Sequence, residues 1–322
     1  MWIARTPNRI SLFGGSCDYS DFFSKYGCLM LSLAINKYCY VSCQKLPEFA
    51  PISYQAFYSK AERVDNIAEI ENPGIRGSLE YLNRKIPIDK IALYTQNQIM
   101  PQTGLGTSSS HVISVLNAVQ SMYGLSPKRG ELARDAINVE RVLLKEVGGI
   151  GDQIICAYGG LVSISINENG YFKVRPLPVS GDFISEFLSC SVLFYTNSQR
   201  QSFEIASSHN NDNKKRILDV ALDAKFYFEI ENLEKIGKLL HESWLAKKQV
   251  SNLISNSFID EKYDILMKNG AFGGKLLGSG GSGFIYCLCP KEKRQQIINA
   301  VQLPTLDFNI DYSGSTIIFK DV

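Results

Sequence analysis

The chain has 322 residues, with 34 Lys+Arg against 32 Asp+Glu and a net charge of +2. That length predicts about two domains, and the near balance of charge excludes both a strongly basic nucleic-acid binder and an acidic tail protein. With 45% hydrophobic and 20% charged residues, the chain reads as globular, and global disorder is excluded. The most apolar stretch, Cys28 to Val41, is interrupted by Ser32, Asn36 and Lys37, so no transmembrane helix is expected. The opening MWIARTPNRISLFGG carries charges where a secretion signal would be apolar. Eight cysteines lie scattered, several inside apolar runs, and read as reduced core residues of a cytoplasmic protein. Cys287 and Cys289 have no His or further Cys near them in sequence to complete a zinc site.

In chain order, ISLF, CLMLSLAI and YCYVSC predict strands around a glycine turn at Gly14-Gly15. Ile91–Gln98 alternates and predicts another strand. After Pro101 the period changes: Val112, Val115, Leu116, Val119, Met122 and Tyr123 fall at helical spacing, ended by Gly124 and Pro127. A second helix is expected from about Lys128 to Val147, stopped by Gly148-Gly149. Then Gly151-Asp152-Gln153 leads through an apolar segment to the strand LVSISI. SCSVLFYT predicts a strand, and Lys214–Glu231 and Leu233–Lys248 predict helices. KLLGSGGSGFIYCLC is a glycine turn entering a strand, and NIDYSGSTIIF is one more strand. The turn-rich VRPLPVSGD places a domain boundary near residue 175, dividing the chain into 1–175 and 176–322. The class is α+β.

Three glycine loops stand out: Gly14-Gly15-Ser16-Cys17-Asp18, Gly104-Leu105-Gly106-Thr107-Ser108-Ser109-Ser110, and Gly278-Ser279-Gly280-Gly281-Ser282-Gly283. The third matches G-x-G-x-x-G, but a strand pattern follows it where a dinucleotide site needs a helix. Neither Lys238 nor Lys275 has the upstream glycine of a P-loop. The second loop is the specific one. A strand enters glycines that let backbone N–H groups approach a phosphate, and the following helix adds its N-terminal donors and dipole. One serine suffices for a helix cap, and this loop has three.

TPNRISLFGGSCDYSDFF, PQTGLGTSSSHV and LLGSGGSGF, in this order, resemble the three motifs of the GHMP small-molecule kinases over essentially the whole chain. The finer likeness is to bacterial heptose 7-phosphate kinases and to the kinase part of bacterial fucokinases. It rests on Gly14-Gly15, on Glu140 with Gly148-Gly149-Ile150-Gly151-Asp152-Gln153, on Thr196 with Arg200, and on Trp244 with Lys248. Ser16 stands where galactokinases have histidine, which speaks against galactokinase.

The resemblance implies a two-domain GHMP kinase fold with the active site between the domains. It implies ATP held by Gly104, Leu105, Gly106, Thr107, Ser108, Ser109 and Ser110. It implies Mg²⁺ held by Glu140 with Ser109 or Ser110, the choice of serine staying open. It implies Asp152 as base with Arg9 beside it. Acceptor contacts fall on Gly15, Ser16, Asp18, Gln153, Arg200, Gly280 and Gly281. For a sugar phosphate, Arg200, Lys248 and Lys247 are candidates; the first two also match fucokinases, whose sugar carries no phosphate. The implied reaction is transfer to the anomeric hydroxyl of D-glycero-D-manno-heptose 7-phosphate. An L-fucose-type 1-kinase and an inactive sugar sensor on the same fold are the alternatives. The partners expected are ATP and a small sugar phosphate, with no nucleic acid and no membrane; the oligomeric state is left open.

Overall fold

The computed structural model describes residues 1–196 and 211–321. The elements run β1 (Trp2–Phe13), α1 (Ser20–Tyr26), β2 (Cys28–Lys45), β3 (Tyr54–Phe57), β4 (Ala61–Val64), α2 (Pro73–Asn83), β5 (Ile91–Asn97), α3 (Thr107–Met122), α4 (Arg129–Ile137), α5 (Gly151–Tyr158), β6 (Leu161–Ile166) and β7 (Phe172–Pro176). They continue with α6 (Gly181–Ser189), β8 (Ser191–Tyr195), α7 (Asn211–Glu229), α8 (Leu233–Lys248), α9 (Ser257–Lys268), β9 (Gly273–Leu276), β10 (Phe284–Leu288), α10 (Arg294–Val301) and β11 (Thr316–Lys320). No helix among the described residues is long and apolar enough to cross a membrane.

Two sheets organise the chain. An eight-stranded sheet runs β11-β1-β2-β5-β3-β4, with β6 and β7 branching from β2; a three-stranded antiparallel sheet runs β8-β10-β9. The sequence reads β2 as two segments because Asn36 and Lys37 interrupt its apolar run. It is one strand serving two partners: Cys28–Leu33 pairs with β6, and Cys39–Lys45 pairs with β5. Its register with β1 shifts between Pro7 and Asn8, where proline has no N–H for the ladder. The sheets change after β7, at the turn-rich stretch before residue 180. The final strand, β11, returns to the first sheet and pairs antiparallel with β1.

Helices cover the first sheet by periodicity. Val112, Val115, Leu116 and Val119 of α3 fall at three- and four-residue spacing and are buried against β1 and β2. Behind it, α4 continues as a π-helical turn over Asn138–Leu143. That extra residue per turn swings Glu140 inward, the use to which such turns are often put. The eight cysteines are free and buried.

A second core is shared by the smaller sheet, by α6, α7 and α8, and by Ile10, Leu12, Leu31 and Leu33 of β1 and β2. Its centre is aromatic: Phe187 packs against Phe228 at 5.8 Å and Tyr286 at 6.5 Å between ring centroids, and Phe183 meets Phe228 edge-on at 6.1 Å. The Tyr286 hydroxyl shares a 2.7 Å hydrogen bond with Ser191, so the ring is buried without stranding its polar tip. Phe187 is fully buried. Phe187→Ala should therefore lower stability by about 3–5 kcal/mol. Urea unfolding followed by tryptophan fluorescence checks this, and a loss under about 1 kcal/mol would show that the aromatic cluster collapses into the gap.

Candidate active site

Strand β1 places alternate residues on one face, so Arg9 and Ser11 both look into a cavity of 810 Å³. Arg9 is buried, and its guanidinium grips Asp152 with both arms: Nε donates to Oδ1 at 2.7 Å and Nη2 to Oδ2 at 2.5 Å. Its third nitrogen, Nη1, donates to the Gly104 carbonyl, and its backbone N–H to the Leu105 carbonyl at 2.9 Å. One side chain thus ties β1, the start of α5 and the second glycine loop together. Burial alone would raise the Asp152 carboxyl; the charge and hydrogen bonds of Arg9 outweigh it and hold the carboxyl below its ordinary value.

The second loop turns into α3 through Gly106, whose φ of +76° lies in the left-handed region. A Cβ there would stand 3.0 Å from Arg9 Cγ. The glycine is needed as much to admit Arg9 as to admit a ligand. No side chain caps α3, so its first-turn N–H groups remain open to an anion at the cavity wall. Thr107, Ser108 and Ser109 line that wall; Leu105 is buried and supports the loop from behind. Ser108 and Ser109 hydroxyls each donate to the Glu140 carboxylate at 2.9 Å, and the Gln153 amide donates to the same carboxylate from below.

In the first loop, Gly15, Ser16 and Asp18 line the cavity. Asp18 accepts the Gly151 N–H at 2.9 Å, and Gly149 has no room for a side chain because a Cβ would overlap the Asp18 carboxylate. This explains the glycines of GGIGDQ: they let α5 start against the first loop. Burial and the neighbouring Asp152 charge push the Asp18 carboxyl up. Loops two and three meet back to back. A Cβ on Gly278 would reach 2.5 Å from Gly104 Cα, and one on Gly283 would reach 2.3 Å from the Thr103 carbonyl oxygen.

Several expected residues take other places. Ser110 is fully buried and bonds Asn8 and the Thr107 carbonyl, so it stands away from Glu140; Ser108 occupies the place beside Ser109 instead. Gln153 is fully buried under Glu140, because the next residue along a helix points about 100° away from Asp152. Of the third loop, Gly280 lines the cavity, while Gly281 faces away and donates to the Ile254 carbonyl. Lys248 turns to Asp260 at 3.0 Å, and its neighbour Lys247 faces the cavity, donating to the carbonyls of Leu276 and Gly278. Trp244 is fully buried in the core. Thr196 closes onto Gly283. Arg200 lies outside the described residues.

Two buried lysines in the cavity wall have no expected site role: the sequence offers Lys275 only as a P-loop lysine, which is rejected, and Lys214 only as the start of a helix. Lys214, at the start of α7, pairs with Asp21 at 2.9 Å. Lys275, on β9, donates to the Leu12 carbonyl at 3.0 Å. Burial, then Lys247 and Arg9, push the Lys275 ammonium well below its ordinary value. Lys275 stands between Gly273-Gly274 and Leu276-Leu277, immediately before the third motif, and only its burial marks it. Ser11 is also missed: it lines the cavity, yet its hydroxyl has no hydrogen-bond partner among the described residues.

Comparison with known proteins places this geometry in a family. The model of the GHMP kinases N terminal domain matches residues 74–160, and that of the GHMP kinases C terminal matches residues 225–304. Together the two span more than half of the chain. The chain is 27% identical over 318 residues to D-glycero-alpha-D-manno-heptose 7-phosphate kinase of Campylobacter jejuni, covering 92% of each. It is 26% identical over 318 residues to mevalonate kinase of Methanocaldococcus jannaschii, covering 92% of this chain and 94% of the relative. A solved D-glycero-D-manno-heptose 1-phosphate kinase from Bacteroides thetaiotaomicron superposes with a TM-score of 0.84 over the full length of both chains, at 22% identity.

The Arg9–Asp152 pair has a pH signature. A carboxyl held low in the folded state contributes stability that is present above its unfolded value and lost as pH falls through the folded value. Wild type should therefore be more stable than Asp152→Asn by an amount that is constant from neutral pH down to about pH 5 and shrinks below about pH 4. Denaturant titrations across that range check this. A gap that does not change with pH would mean the carboxylate charge contributes nothing to it.

Proposed function

The chain belongs to the GHMP kinases and is an ATP-dependent kinase; on that premise we propose that it transfers the γ-phosphoryl group to the anomeric hydroxyl of D-glycero-D-manno-heptose 7-phosphate, giving the 1,7-bisphosphate. The observation that carries the chemistry is the Arg9–Asp152 pair standing in the same cavity as the uncapped start of α3. The likeness over 92% of the Campylobacter heptose kinase supports the acceptor.

In this reading the γ-phosphate lies at the α3 N-terminus, where backbone N–H groups and the helix dipole meet its charge. The acceptor lies over Asp152 and Asp18. The anomeric oxygen attacks phosphorus, the bond to the leaving ADP oxygen breaks, and the hydroxyl proton passes to Asp152. Arg9 makes Asp152 a weak base, so the proton moves late, once the bond to phosphorus has acidified the hydroxyl. Arg9 also faces the charge that develops on the transferred group. Asp18, with its raised carboxyl, holds an acceptor hydroxyl.

Glu140 with Ser108 and Ser109 forms a set of hard oxygen donors at the cavity wall, the type that suits Mg²⁺. The Glu140 carboxylate is buried, and its three described donors leave acceptor capacity. These residues would hold Mg²⁺, which when bound neutralises charge on the nucleotide phosphates. An inactive sensor has no use for this set, so its intact geometry favours an enzyme. ATP chemistry in a chain whose cysteines are free fits the cytoplasm.

Asp152→Asn should lower kcat by about 10²–10⁴ with ATP binding retained. A variant within threefold of wild type would remove Asp152 from the role. The acceptor is tested by offering heptose 7-phosphate, heptose 1-phosphate, free heptose, L-fucose and mevalonate in parallel. Heptose 7-phosphate should lead, and mild acid should release one phosphate of its product, because an anomeric phosphate is more acid-labile than a primary ester. A product with two acid-stable phosphates would overturn anomeric transfer.

A further inference from the structure

Among the cavity-wall donors that the transfer chemistry does not use are Ser11 and Lys275. Ser11 is 9% exposed, and its buried Oγ has no partner among the described residues. It looks toward the first loop, where a Cβ built on Gly15 would stand 3.5 Å away. Lys275 is 3% exposed, and of its three N–H donors one goes to the Leu12 carbonyl, the residue next to Ser11. A buried unpaired hydroxyl and a buried ammonium facing no paired carboxylate both cost stability. Each is satisfied by a ligand that only accepts hydrogen bonds. Both donate, and Lys275 when protonated carries positive charge, so the group they fit is an anion.

Position separates this anion from the one being transferred. Ser11 is two residues along β1 from Arg9, a displacement of about 7 Å. Arg9 reaches toward Gly104 and the second loop, whereas Lys275 reaches toward Leu12 and the first loop. This place therefore lies by the first loop, apart from the second loop to which the kinase reading gives the nucleotide phosphates. Burial beside Lys247 and Arg9 leaves the Lys275 ammonium short of countercharge, which a dianion supplies.

We propose that Ser11 and Lys275 form a seat for a phosphomonoester carried by the acceptor at the end remote from the reacting hydroxyl. The seat rests on the kinase reading above and gives it a phosphate-bearing acceptor. The sequence offers this role to Arg200, Lys248 and Lys247; of these, Lys248 turns to Asp260 and Lys247 donates to the Leu276 and Gly278 carbonyls.

The test uses the full chain as wild type, Ser11→Ala and Lys275→Met. Ser11→Ala removes an unpartnered hydroxyl, so this variant folds and keeps the proposal falsifiable if Lys275→Met does not. The first arm is the ratio of kcat/KM for heptose 7-phosphate to that for free heptose; losing a charge-assisted contact should cut it at least tenfold in each variant. The second arm is calorimetric binding of inorganic phosphate with a non-hydrolysable ATP analogue filling the second loop; the affinity should fall at least tenfold in each variant. An unchanged ratio together with unchanged phosphate affinity in Ser11→Ala overturns the seat. If wild type ignores heptose 7-phosphate while phosphate binding is still lost in the variants, the heptose assignment fails and the seat stands.

Discussion

The cavity depends on one bidentate ion pair. Arg9 is the only contact in which β1, the second glycine loop and α5 are joined through a single described side chain, and the pair fixes Asp152 in two directions at once. A lysine would supply charge without the planar fork, and Asp152 would then rotate. Other features of the floor follow from the space that this pair takes up. Gly106 lacks a side chain because Arg9 passes beneath it, and Gly149 and Gly151 lack one because Asp18 and Met30 stand where a Cβ would be. The glycines of the second motif and of GGIGDQ are thus partly a record of how tightly side chains pack here.

The second dependency is electrostatic separation. Asp152 lies close enough to raise Asp18, yet the two are pushed in opposite directions. Arg9 keeps one carboxyl low, while burial and the first carboxylate push the other up. Two acids of one type acquire two roles from their surroundings, a pattern that serves proton transfer well. Glu140 stands apart from both, held by three neutral donors rather than by a cation.

Much of this was legible in the sequence, and the limits have physical causes. Helix α8 followed from apolar spacing because it buries one face; α3 showed the same spacing although it is buried all round from Val112 to Gln120. The glycine loops were legible because positive φ and close approach require that residue. The errors lie in direction. Lys247 and Lys248 are adjacent on α8 and point about 100° apart, and only the packing of α8 on β9 decides which one reaches the cavity. The same rotation hides Gln153 and turns Ser110 inward. Ser11 stands inside the first motif and Lys275 just before the third, but the motifs give neither a role; their significance arises from burial, which a single sequence does not display. The pairing of β11 with β1 was equally invisible, since strand pattern carries no information about distant partners.

That pairing has a consequence for how the protein is made. Arg5 finds its sheet partner, Thr316, almost the whole chain later. At roughly 5–20 residues per second, a ribosome needs some tens of seconds to deliver it. Throughout that interval the outer edge of β1 is an open template for another chain's strand. Arg5 supplies a charge on that edge and Pro7 withholds an amide, both of which discourage such pairing. Nascent chains paused between β10 and β11 would be the population at greatest risk of aggregating, although they already carry every described residue of the cavity.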